Sequence, residues 1–277
     1  LEQSTVDFDR TSFFMNRISV SSWSLHPNLG APPIWGVGGS PQVGGDGEFS
    51  LIELPQRLAD FGIQTFELCH FHLPSLETEY LAQMRAAIES AGVELWSLLV
   101  DSGDLTGAHA DRDEAWIATW FPIAQQLGAR NVRVIAGKGA PTSENLTRSR
   151  AALARLAQQA ARHNVRILTE NWFDLLSTPE AVHSLFDGLD VGLNLDFGNW
   201  SGDDKYRNLE KIASLAEGTH AKAHFENEVI DEADFVKCLE LLMLREYAGP
   251  YSLVCDNASD RWRALEEMKT IAIRFLV

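Results

Sequence analysis

The stretch THAKAHFEN, residues 219–227, decides the fold. His220, Lys222 and His224 share one parity, and Ala221, Ala223 and Phe225 share the other, which is the period-2 pattern of a strand. A half-exposed strand normally turns its charged residues to water. Here the charged parity alternates with residues that read as buried on their own account, so the polar parity needs an interior to face.

Similar runs recur along the chain. Strands are expected near Ile18–His26, Ile63–Cys69, Val93–Asp101, Asn131–Ala136, Val165–Glu170, Val191–Phe197, Thr219–His224 and Tyr251–Asp256. Amphipathic segments separate them. STPEAVHSLF starts a helix with Thr178 as cap, Pro179 at the first position and Glu180 in the first turn. Asp231 caps another, and ENLTRSRAALARLAQQAARHN is a long helix ending at Asn164. Eight strand–helix units in a chain of this length predict an α/β fold, a (β/α)8 TIM barrel forming a single domain over residues 1–277, with residues 1–15 as an N-terminal extension. A doubly wound sheet could use the same elements, but no Gly-x-Gly-x-x-Gly follows the first strand. WGVGGSPQVGGDGEF, residues 35–49, has other spacing and reads as a lid or a plain surface loop.

Composition narrows the function. The net charge of −16, from 39 acids against 23 bases, opposes nucleic-acid binding and favours a small-molecule partner. Cys69, Cys238 and Cys255 are odd in number and form no CxxC pair, which points to a reducing, cytoplasmic setting. No apolar run is long enough for a membrane span, and the first dozen residues do not read as a secretory signal.

In such barrels the chemistry sits at the C-terminal ends of the strands. Those ends carry His26, then Glu67, His70 and His72, then Asp101, Glu170 with Asn171, Asp196 with Asn199, the opening stretch, and Asp256. Five of the eight histidines fall there, which predicts a convergent site. Alternation turns Asn194 and Asp196 inward on the sixth strand, His220, Lys222 and His224 on the seventh, and Ser252, Val254 and Asp256 on the eighth. Glu170, Asp196, one strand-seven histidine and Asp256 together suit one divalent ion, Mn2+, Mg2+ or Zn2+. The competing reading is an internal salt-bridge network in which Lys222 and Arg133 neutralise the acids, with Glu67 paired to Arg133. Trp172 and Trp200 follow site strands and could stack on a sugar or pack against loops.

With TEN ending strand five, DFGN ending strand six, HAK in strand seven and GPYSLVCD in strand eight, the chain resembles the sugar phosphate isomerase/epimerase superfamily, the xylose isomerase-like barrels. The resemblance runs from SWSLH to the final helix. It implies Glu170, Asp196, His220 and Asp256 as metal ligands, with Glu170 and Asp256 as the catalytic acid/base pair. It further implies Glu67, His70, His72, Asn199, Lys222, His224 and Trp172 as substrate-binding residues. Two positions depart from the family pattern: Asp256 stands where Glu is usual, and Asn199 where His is usual. Endonuclease IV-like members use more metal ligands than this acidic chain offers. The implied activity is metal-dependent isomerisation or epimerisation of a sugar, polyol or related keto compound through an enediolate. The alternatives are dehydration of an inositol-type or sugar-acid substrate, or a non-catalytic barrel that binds a small polyol. The loops after strands seven and eight are mainly acidic, so an unphosphorylated substrate is expected, with Arg261 and Arg263 as solvated helix residues. A homodimer is the prior for such barrels.

Overall fold

The computed structural model describes residues 16–276; the expected N-terminal extension, residues 1–15, lies outside the described residues. Eight parallel strands close into a barrel: β1 (Arg17–Ser21), β2 (Thr65–Cys69), β3 (Glu94–Val100), β4 (Asn131–Val134), β5 (Arg166–Glu170), β6 (Gly192–Asp196), β7 (Ala216–Lys222) and, after a short hairpin, β10 (Pro250–Val254). The hairpin pairs β8 (Phe225–Glu226) with β9 (Val229–Ile230). Around the barrel the order follows the chain, and β10 closes against β1. The expected single closed barrel is what the chain forms.

Helices α1 (Leu54–Asp60), α2 (Thr78–Ser90), α3 (Ala110–Ala118), α4 (Trp120–Leu127), α5 (Ser143–Ala161), α6 (Pro179–Phe186), α7 (Lys205–Ile212), α8 (Glu232–Met243) and α9 (Arg261–Ala272) cover the outside. Their starts obey local chemistry. Thr178 accepts from the Ala181 amide ahead of Pro179, and Asp231 accepts from the Asp234 amide. Outward strand residues such as Leu193, Leu195, Ala221, Tyr251 and Leu253 are buried against these helices. Among the described residues no helix is long and apolar enough to cross a membrane. Cys69, Cys238 and Cys255 are buried and unpaired.

Several strands stop short of the expected ends, and at β1 and β7 this has consequences for the site. After Ser21 the chain turns into a 3-10 segment, Ser22–Leu25, capped by the Ser21 hydroxyl, so His26 no longer follows the strand's alternation. After Lys222 the chain leaves the barrel for the hairpin, where Asn227 and Glu228 take φ of +50° and +66°. Two consecutive left-handed residues make the tight turn that twisted hairpins favour, and Asn tolerates that conformation well.

The N-terminal end of the barrel is held by ion pairs. Glu94 of β3 joins Arg17 of β1 and Arg130 before β4, while Arg166 of β5 reaches Glu217 at 2.5 Å and Asp190 at 2.8 Å. Glu94 is the shared acceptor of its cluster, so Glu94→Gln removes the charge from both arginines while keeping the shape. We expect a loss of about 1–3 kcal/mol in urea unfolding. An unchanged midpoint would mean that water satisfies these arginines equally well.

Candidate active site

A cavity of about 320 Å³ opens at the C-terminal ends of the strands, the size class of a single small ligand. Its floor is polar, with Asp101, Arg133, Glu170, Asp196, Asn199 and His220, and Lys222 and Asp256 form one wall. Trp23, Ile34, Phe71 and Trp172 form apolar walls.

The floor is set by register. Glu170 lies beside Asn194, and Asp196 beside His220, so the inward parities of β5, β6 and β7 meet at one height. His220 is the centre. Its Nδ1 lies 3.1 Å from Glu170 Oε2 and 3.4 Å from Asp196 Oδ2, and its Nε2 lies 3.0 Å from Glu67 Oε2. The Asp-Phe-Gly-Asn turn fixes Asp196, whose Oδ1 accepts from the amides of Gly198 (2.6 Å) and Asn199 (2.7 Å). Asn171 clamps β5 to β6 by accepting from the Asp196 amide at 2.8 Å and donating to its carbonyl at 3.1 Å.

Glu170 is surrounded by donors. The Asn199 side chain donates to its Oε1 at 2.6 Å and Asn194 to its Oε2 at 3.3 Å, while Arg133 Nε lies 3.4 Å away. Burial would raise its pKa, but the charges of His220 and Arg133 outweigh burial and bring it to about 2. Burial would likewise discharge His220, but Glu170 and Glu67 hold its pKa well above the ordinary value. Arg133 also pairs with Asp101 at 2.6 Å. Beside the Asp196 turn, where a Cβ on Gly198 would lie 2.6 Å from Lys222 Cδ, Lys222 Nζ sits 2.7 Å from Asp256 Oδ2. Burial opposes the Lys222 charge, and Asp196 and Asp256 more than restore it.

One ligand atom each from Glu170, Asp196 and His220 lie within 4.8 Å of one another. Two carboxylates and one imidazole at that spacing fit a single divalent ion held through His220 Nδ1, while Glu67 faces the other ring nitrogen as an ion-pair contact at 3.0 Å. Asp256 is not part of this trio and pairs with Lys222 instead. The salt-bridge network and the metal-type trio, posed as rivals by the sequence, therefore share one floor. Glu67 pairs with His220, not with Arg133.

Three histidines depart from expectation because they lie just past strand ends. His70 and His72 sit in a 3-10 turn after β2 and do not line the cavity. His70 is packed edge-on among Trp35, Trp116 and Trp120, with its Nε2 2.8 Å from the Trp35 carbonyl. His72 is buried between Ser22 Oγ and His26 Nδ1, each at 2.8 Å, and desolvation lowers its pKa to about 3. His224 is exposed beyond β7, with its ring 3.5 Å from the Asn257 amide nitrogen. Asn199, Lys222 and Trp172 do line the cavity, whereas Trp200 is buried elsewhere and donates to the Leu176 carbonyl.

Residues 35–36 are wall rather than free loop. Trp35 is buried, and a Cβ on Gly36 would lie 2.4 Å from Ser102 Oγ. Arg261 is not solvated: its guanidinium donates to the carbonyls of Cys255 and Asp256, so it offers little to a phosphate. Trp23 and Phe71 were not foreseen as walls. The only signal was an aromatic residue one or two places beyond a strand end.

A family model described as xylose isomerase-like TIM barrel matches residues 55–272. No curated protein matches the sequence. Among solved structures, a xylose isomerase-like TIM barrel protein from Mycobacterium smegmatis in complex with magnesium is 12% identical, with a TM-score of 0.66, covering 95% of this chain and 97% of its own. An L-ribulose 3-epimerase is 21% identical (TM-score 0.65, covering 94% and 96%). A probable 3-DHS dehydratase involved in petrobactin synthesis from Bacillus anthracis is 14% identical (TM-score 0.67, covering 92% and 98%). At these identities the likeness concerns the fold.

The buried neutral His72 generates a pH test. Its folded pKa of about 3 lies below the ordinary 6.5, so below pH 6.5 the unfolded chain binds a proton that the native state does not. This histidine's contribution falls as pH drops through that window, by about 1.4 kcal/mol per unit. Urea unfolding at pH 7 and pH 5 should show a shallower acid loss in His72→Gln than in the wild type, whatever their absolute stabilities. Equal slopes would show that His72 protonates in the native state.

Proposed function

From the premise that the chain belongs to the xylose isomerase-like TIM barrel family, we propose that it is a divalent-metal-dependent isomerase or epimerase of an unphosphorylated sugar, polyol or related keto compound. The observation that carries this reading is the convergence of Glu170, Asp196 and His220 on the floor of a cavity that the Lys222–Asp256 pair also lines. When bound, the divalent ion supplies electrophilic polarisation of substrate oxygens, which makes a neighbouring C–H more acidic.

The chain's own groups complete the chemistry. Glu170 is held ionised by its donors, and its carboxylate is the group to take a proton from carbon on the floor side. Asn199 and Asn194 keep that carboxylate from rotating. At the Lys222–Asp256 pair, Asp256 can hold a proton at Oδ2, and Lys222 Nζ can donate to a substrate oxygen as its charge rises. Proton removal on one side and return on the other inverts a carbon centre. Return to the adjacent carbon by one carboxylate isomerises aldose and ketose. Trp23, Phe71 and Trp172 cover the apolar face of a ring and exclude water.

A second reading, dehydration, is favoured by one observation. The Lys222 ammonium, held charged beside Asp256, could protonate a departing β-hydroxyl.

The test is solvent deuterium incorporation into ketoses, aldoses and inositols, read by mass spectrometry with Mn2+ present. The wild type should incorporate one deuterium per turnover in at least one compound. Glu170→Gln should lose at least about a thousandfold of that rate, near the loss expected for removing a general base. Loss of water from the same compound would select the dehydratase reading. No exchange with any member of the panel would leave a barrel that only binds.

A further inference from the structure

Around the Nε2 edge of His220 the barrel lumen is polar in a way that the reaction does not use. Ser19 and Ser252 are register partners, Ser252 is the partner of His220, and Ser97 is the partner of Glu67. Ser19, Ser97, Ser252 and Glu67 are fully buried and share the inward parity. The three hydroxyls, both Glu67 carboxylate oxygens and the amide oxygen of Asn194 have no hydrogen-bond partner. The 3.0 Å approach of His220 Nε2 to Glu67 is an ion-pair contact off the hydrogen-bond line. Native interiors leave few such atoms unsatisfied, and here five of the six oxygens lie on the adjacent strands β10, β1, β2 and β3.

Their chemistry selects a guest. Three are pure acceptors, and each hydroxyl can turn a lone pair inward. All are hard oxygen donors, the set that alkali and alkaline-earth cations take. A single carboxylate among neutral oxygens matches one positive charge better than two. The surrounding charges agree in sign: Glu67, Asp101, Glu170, Asp196 and Asp256 outnumber the nearby Arg133, Lys222 and Arg261, the last of which meets the Asp256 carbonyl.

We propose that the lumen beside Glu67 is a second, monovalent cation site, occupied by an alkali ion of sodium or potassium size and coordinated by Glu67 and the serine hydroxyls. The oxygen cluster stands without the catalytic reading.

The test is anomalous diffraction from crystals of the chain grown with thallous (Tl+) acetate and saturating Mn2+, which is read independently of turnover. A Tl+ peak is expected within coordination distance of Glu67 in the wild type and absent in Glu67→Gln. In solution, the melting temperature should be several degrees higher in potassium or sodium chloride than in tetramethylammonium chloride at equal ionic strength. Should Glu67→Gln not fold, the Ser97→Ala/Ser252→Ala variant keeps the charge, and its half-saturating cation concentration should rise several-fold. No Tl+ signal beside Glu67, with equal melting temperatures in all three salts, would overturn the site and leave ordered water as the guest. An unchanged half-saturation in the double variant would likewise overturn it.

Discussion

The structure turns on the cost of burying carboxylates on the axis of a barrel. Glu67, Glu170 and Asp196 are almost wholly withdrawn from water, and His220 touches all three. Ionised carboxylates in such a place persist only with positive charge and aligned donors. The DFGN turn, the Asn171 clamp and the Asn199 and Asn194 amides all serve that need. So does Arg133, bracketed by Asp101 and Glu170. The floor is consequently rigid and acidic, and its Glu170, Asp196 and His220 form the donor set of a candidate divalent-ion site.

The two departures from the family pattern acquire physical content here. Asn199 cannot shuttle a proton near neutral pH, but it donates to Glu170 and holds that carboxylate in place. Asp256, one methylene shorter than glutamate, lies apart from the Glu170–Asp196–His220 trio and meets Lys222. The wall is thereby an ammonium–carboxylate couple rather than a lone carboxylate, and the proposed activity therefore keeps dehydration beside epimerisation.

How much was legible in the sequence follows from where each residue stands relative to a strand end. Asp196 and His220 lie within β6 and β7, where strict alternation aims them inward, and the barrel brings them together. The closed eight-stranded fold was readable for the same reason. His70, His72 and His224 lie one to three residues past strand ends, where a 3-10 turn or a hairpin redirects the chain and parity no longer applies. The His220–Glu67 contact spans the lumen between strands that are not hydrogen-bonded neighbours, so no local pattern could announce it. The apolar walls come from turns and from Ile34 just before the glycine-rich loop, whose direction depends on packing rather than period.

The central claim is that the trio of Glu170, Asp196 and His220 is a metal site rather than a self-neutralised ion network. Calorimetric titration of Mn2+ into the metal-stripped protein tests it most directly, with Asp196→Asn as the control because asparagine keeps the turn but not the charge. The account predicts one ion per chain for the wild type and none for the variant. Absence of binding to the wild type at millimolar Mn2+, or equal binding to both proteins, would contradict it.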